Sequence, residues 1–112
     1  MVPAFPMLRR KVDFDALGRQ GTARSSRLLV LRSLRTERPE TRVGLSTPRA
    51  LGGAVQRNRV RRRLRELMRE RIETIGAGWD LLLIARPEAA LASHAELRAA
   101  LGSLLERSGV GG

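Results

Sequence analysis

Cysteine is absent from this 112-residue chain, so neither disulfides nor thiolate metal sites can be built. Tyrosine is absent as well, and two phenylalanines with a single tryptophan leave few platforms on which a nucleic-acid base could stack. There is one histidine, His94, placed in the first turn of the last helical segment and read as a surface residue. The acidic pairs Asp13/Asp15 and Glu37/Glu40 lack the spacing of a metal-ligand motif. A nuclease active site made of protein side chains is hard to assemble from this set. Long apolar runs are missing too. "LLLIA" (81–85) is far too short to span a bilayer. The opening "MVPAFPMLRR" carries two prolines and no stretch of signal-peptide length. These features support a cytoplasmic reading.

What is present is positive charge. Lys and Arg number 22 against 11 acidic residues, for a net charge of +11, and Lys11 is the one lysine. Such an excess calls for an acidic partner: nucleic acid, anionic lipid or an acidic protein. Arginine binds phosphate in a bidentate fork and stacks on bases, which favours nucleic acid. A genome rich in arginine codons would explain the preference over lysine equally well, but not the net charge. The length suits one domain, 1–112, with residues 1–7 read as a flexible arm and 108–112 as a flexible tail.

Hydrophobic spacing orders the elements. A short helix is expected from about Leu8 to Arg19, then a strand in "RLLVLRSLR" (27–35) and another in "RVGLST" (42–47) that stops at Pro48. A brief extra strand near Thr22 and Ala23 stays open, with no pattern of its own to support it. A long helix follows Gly52-Gly53 and runs to about Ile75. A buried strand spans Trp79 to Ala85, with Trp79 assigned to the core. The last helix opens with a capping box, Ser93 and Glu96, and buries Leu97, Leu101, Leu104 and Leu105. Helices on one sheet make an α+β sandwich.

The long helix begins "GGAVQRNRVRRRLRELMRERI" (52–72), with eight arginines. At about 100° per residue, Val60, Leu64, Leu67, Met68 and Ile72 form the core side. Asn58, Arg61, Arg62, Arg65 and Arg69 share a neighbouring arc that no carboxylate interrupts. Glu66, Glu70 and Glu73 lie on a third side, where they can screen Arg59, Arg62, Arg63 and Arg69. A solvated face balanced by internal pairs is the plain alternative. Against it, Arg61/Arg65 and Arg65/Arg69 are like-charge i,i+4 pairs, each costing about 0.2–0.5 kcal/mol. Arg57 and Asn58 add first-turn N–H groups and the helix dipole, both favourable to phosphate. The row is suited to gripping a sugar–phosphate backbone, which positions a partner without reading its sequence.

These residues resemble the protein subunit of bacterial ribonuclease P. Its arginine-asparagine-arginine signature is matched by "AVQRNRVRRRLRE", with Arg57, Asn58, Arg61, Arg62 and Arg65 on the corresponding positions. The likeness extends to "DFDALGRQG" (13–21), "RVGLS" (42–46), "GWDLLLIARP" (78–87) and "AELRAAL" (95–101), covering about residues 8 to 107. It implies an αβββαβα two-layer sandwich, one small mixed sheet with helices packed on it, and a left-handed βαβ crossover. It also implies a non-catalytic protein component of an RNA-based endoribonuclease. A large RNA with bound Mg²⁺ would remove the 5′ leader of precursor tRNA. This chain would bind that RNA through Arg57, Asn58, Arg59, Arg61, Arg62, Arg65 and Arg69. It would take the leader in a cleft near Phe14, Val30, Arg32 and Arg86. The expected partners are ribonuclease P RNA and precursor tRNA, with no membrane and no obligate protein partner.

The chain departs from the family pattern at Gly18 and Arg32, where aromatics are usual, and at Ala50 and Gly53, where lysines are frequent. Leader binding is therefore expected to lean on arginine. Phe14 remains open between cleft and core, and Arg86 between cleft and solvated turn. A structural RNA binder such as a ribosomal protein would share size and charge. A membrane-surface helix is disfavoured because the apolar arc is needed by the sheet.

Overall fold

The computed structural model describes residues 5–111. Helix α1 spans Lys11–Gln20 and is followed by β1 (Thr22–Ser25), β2 (Leu29–Arg35) and β3 (Arg42–Ser46). Helix α2 (Ala54–Ile75), β4 (Trp79–Ala85) and α3 (His94–Arg107) complete the order, with short 3₁₀ turns at Arg49–Leu51 and Pro87–Leu91. The strands form one mixed sheet in the order β1-β2-β4-β3. Strand β4 lies antiparallel to β2 and parallel to β3, so α2 is the crossover between two adjacent parallel strands.

Strand alternation divides the sheet into two faces. On one, Leu29, Leu31, Val43, Leu81 and Leu83 are buried with Val60, Leu64, Leu67 and Met68 of α2 and Leu97, Leu101 and Leu104 of α3. This is the main core, and Trp79 lies half-buried at its margin with the Arg35 guanidinium 5.2 Å from its ring centroid. On the other face lie Val30, Arg32, Leu34, Arg42, Gly44, Ser46, Asp80, Leu82 and Ile84, by the same register. Only α1 covers it. Leu17 is fully buried yet stands apart from the main cluster, as expected of a side chain on the opposite layer.

Strand β1 has no readable pattern for a simple reason. All four of its residues are exposed, so no apolar alternation exists, and pairing with β2 alone makes it a strand. The arm expected over 1–7 needs correction at its inner end. Phe5 is buried in the core, and Met7 bridges Val43 in parallel. The Val43 amide donates to the Pro6 carbonyl (3.0 Å) and the Leu8 amide to the Val43 carbonyl (2.9 Å). Backbone groups on the outer edge of β3 need partners, and this segment supplies them. Residues 1–4 and 112 lie outside the described residues. At the other terminus Val110 is buried, and its amide donates to the Leu105 carbonyl (3.0 Å) around Gly109 at positive φ, which closes α3. The tail expected from 108 is thus packed through Val110.

The last helix follows its capping box: the Glu96 amide donates to Ser93 Oγ (3.1 Å) and the Ser93 amide to Glu96 Oε1 (2.8 Å). The Ser93 amide, followed by the Ser93 hydroxyl, holds the Glu96 carboxyl below its usual range. Thr41 ties the crossover together, its hydroxyl donating to the Gly76 carbonyl at the end of α2 and accepting from the Trp79 amide.

Candidate nucleic-acid interface

Helix α2 lies over the sheet near β3, and the arginine arc projects beside that edge. Arg61 fixes the relation. Its Nη2 donates to Thr47 Oγ1, just past the end of β3, and its Nη1 donates to Asn58 Oδ1 (3.1 Å) one turn earlier. The guanidinium is therefore oriented before any ligand arrives. Arg62 and Arg65 are exposed and form no hydrogen bond or ion pair with any described residue. Arg69 is exposed farther along the same arc. Arg57 is half-buried in the first turn, with its Nε enclosed and lacking an acceptor. Arg59 is exposed on the far side, while Arg63 leans toward α3 and donates to the Ala92 carbonyl (3.3 Å).

The acidic side of the helix behaves differently from expectation. Glu70 reaches across to Arg98 of α3, at distances of 3.0 and 3.3 Å, and that guanidinium depresses its carboxyl pKa. Among the described residues, Arg59, Arg62 and Arg63 have no carboxylate within ion-pair distance. Interhelical geometry claimed a carboxylate that helical spacing alone had assigned to its own helix.

The open face of the sheet brings three of the four expected cleft residues together. Phe14, Val30 and Arg32 are half-buried there; the Phe14 ring lies over Gly44, with Leu82 beside the same glycine, and Val30 pairs with Ile84. Arg86 stands at the end of this face, exposed, with its Nη1 donating to the Ser26 carbonyl (3.3 Å). It thus braces the turn at Ser26. Around Gly18 there is open space where a side chain would stand.

Sequence reasoning missed the cluster under α1. Arg42 forks Asp80 through Nε (2.9 Å) and Nη2 (2.7 Å), and Asp13 through Nη1 and Nη2 (both 3.2 Å). The hydrogen bonds to Asp80 raise the Arg42 pKa further, against the opposing effect of burial, and those to Asp13 add to them. One signal was available: Asp80 interrupts an apolar strand, and a buried carboxylate demands a partner. With Asp13 and Asp80 both engaged by a guanidinium, they do not make a metal cradle. No group of three His, Asp or Glu side chains among the described residues is placed to hold a metal ion. Nor is any described helix long and apolar enough to cross a membrane.

A small α+β sandwich whose most basic helix borders a half-open, arginine-bearing sheet face is a polyanion-binding module. The Ribonuclease P family model matches residues 2–109. The chain is 42% identical over 109 residues to the ribonuclease P protein component of Acidothermus cellulolyticus, covering 96% of this chain and 91% of that one. It is 40% identical over 116 residues to that of Streptomyces avermitilis, covering 96% and 94%. The Staphylococcus aureus RNase P protein structure superposes with a TM-score of 0.87 at 26% identity, over 95% of this chain and 97% of that one. The Thermotoga maritima protein gives 0.81, also at 26% identity, over 90% and 96%. The chain belongs to the bacterial ribonuclease P protein family. As a protein component of that ribonucleoprotein, it partners ribonuclease P RNA in the enzyme that removes 5′ leaders from precursor tRNA.

Proposed function

We propose that this chain grips ribonuclease P RNA with the α2 arc and holds the precursor-tRNA leader on the open face of the sheet. The RNA is bound by Arg57, Asn58, Arg61, Arg62, Arg65 and Arg69, with Arg59 reaching from the flank. The leader is bound by Phe14, Val30, Arg32 and Arg86. The observation that carries this reading is the bracing of Arg61 by Asn58 and Thr47 beside Arg62 and Arg65, which lack internal partners. Like charges held together without relief cost stability in the free protein and are offset when phosphate arrives. A leader strand held on the neighbouring face adds contacts that favour precursor over product, because the product has no leader.

Cleavage belongs to the RNA, with Mg²⁺ bound there; this chain's share is orientation and charge compensation in the cytoplasm where precursor tRNA is processed. Reconstitution with a bacterial ribonuclease P RNA at low Mg²⁺ tests the reading. Cleavage of precursor tRNA should rise on adding the protein, and precursor should bind more tightly than mature tRNA. Absence of both effects would reject it.

A further inference from the structure

Gly44 sits in the interior of β3, where glycine is ordinarily unfavourable for want of a side chain and for its conformational freedom. Its backbone does not require it, since it is not among the glycines at positive φ. Space does. A Cβ there would stand 2.9 Å from Phe14 Cε1, 3.3 Å from Phe14 Cζ and 3.2 Å from Leu82 Cδ1. The aromatic ring therefore lies against bare strand backbone.

The ring is also held from the helix side. Asp13 precedes Phe14 on α1, and Arg42 precedes Gly44 by two residues on the same face of β3. The Asp13–Arg42–Asp80 side chains are only 13%, 12% and 5% exposed. Buried ionic clusters give little net stability compared with apolar packing of the same volume, and in some proteins their role is to specify one geometry. Here that geometry is the docking of α1, one residue away from the ring. Phe5 and Trp79 both pack on the main core, so Phe14 is the aromatic that the open face has.

We infer that Gly44 and Arg42 are positioning residues for the leader: together they seat the Phe14 ring as a fixed floor and so set how deeply a base enters the cleft. A ring that cannot swing away is a preorganised stacking surface, and preorganisation lowers the ordering cost of binding. The inference rests on the reading of the open face as the leader site.

The test uses the holoenzyme reconstituted with bacterial ribonuclease P RNA, comparing wild type with Gly44→Ala and Arg42→Lys. Lysine keeps the charge but has no planar fork to engage both carboxylates. Two measurements are made on each: the affinity ratio of leader-bearing precursor to mature tRNA, and the fluorine NMR spectrum of protein labelled with para-fluorophenylalanine. The two phenylalanines make the spectrum simple, and Phe5 in the core is the internal reference. The Phe14 signal should shift in both variants while that of Phe5 stays, and the ratio should fall by about five- to twentyfold. An unmoved Phe14 signal in both variants overturns the positioning role. A shifted ring with an unchanged ratio overturns the leader assignment instead. If the added methyl of Gly44→Ala prevents folding, Arg42→Lys carries both measurements alone.

Discussion

The two faces of the sheet are built by opposite rules. The face under α2 and α3 is closed by leucines that are almost wholly buried, and it contributes stability through apolar area removed from water. The face under α1 is half covered, carries Arg32, Arg42 and Asp80 among its apolar side chains, and is anchored by an ionic cluster. One face makes the protein fold; the other keeps a surface open, at some cost in packing. The contrast teaches that one small sheet can be held by apolar packing on one layer and by charge on the other.

Substitutions on the two faces should therefore fail in different ways. Arg42→Met leaves two buried carboxylates without their cation and should cost about 3–5 kcal/mol. Leu83→Ala on the closed face should cost about 2–5 kcal/mol through a cavity. Chemical denaturation measures both; near-zero losses for Arg42→Met would mean that α1 docks without its cluster. In contrast, Gly18→Phe should leave the core untouched, because nothing lies within 4 Å of its added Cβ. It places an aromatic one helical turn beyond Phe14 on the open face, and a new stacked base is worth about 1–3 kcal/mol. Titration of precursor against mature tRNA would show the gain, and an unchanged preference would place the leader elsewhere.

Arg61→Ala and Arg65→Ala should barely alter the melting curve yet flatten the salt dependence of RNA binding. Removing the partner of one phosphate changes the log–log slope by roughly 0.7–0.9. Arg61→Ala should do more, since Arg61 also orders Asn58 and Thr47. Slopes identical to wild type in both would turn these side chains to water. The smallest effect is expected at the start of α3. The Glu96 carboxyl is held below its usual range by the Ser93 amide and hydroxyl, so its folded pKa is depressed relative to the unfolded chain. Its stabilising contribution is present above the ordinary glutamate pKa and is lost as pH falls through the depressed value. Amide exchange in the first turn of α3 should quicken over that acidic range in wild type and show less change in Glu96→Gln.

Much of this architecture is local and legible residue by residue. Helix α2 is readable because Val60, Leu64, Leu67 and Met68 recur at helical spacing, and α3 because Ser93 and Glu96 announce its start. The arginine arc is equally plain, since angular position on a helix follows from numbering alone. Strand β1 is not, because its four exposed residues carry no alternation. The seating of Phe5 and Val110 escapes the pattern for a related reason: isolated apolar residues near the termini have no periodicity, and only the core they plug reveals them.

The chain alone thus determined its charge, its helices, its central strands and the sorting of arginines onto one arc, since each depends on spacing within a single segment. Tertiary structure decided the rest: that Glu70 leaves its helix for Arg98, that Thr47 braces Arg61, and that Asp13, Arg42 and Asp80 meet. The reason is physical. Ionic and hydrogen-bond partners are chosen by distance through space, and residues 38 positions apart, such as Arg42 and Asp80, become neighbours only when β3 pairs with β4.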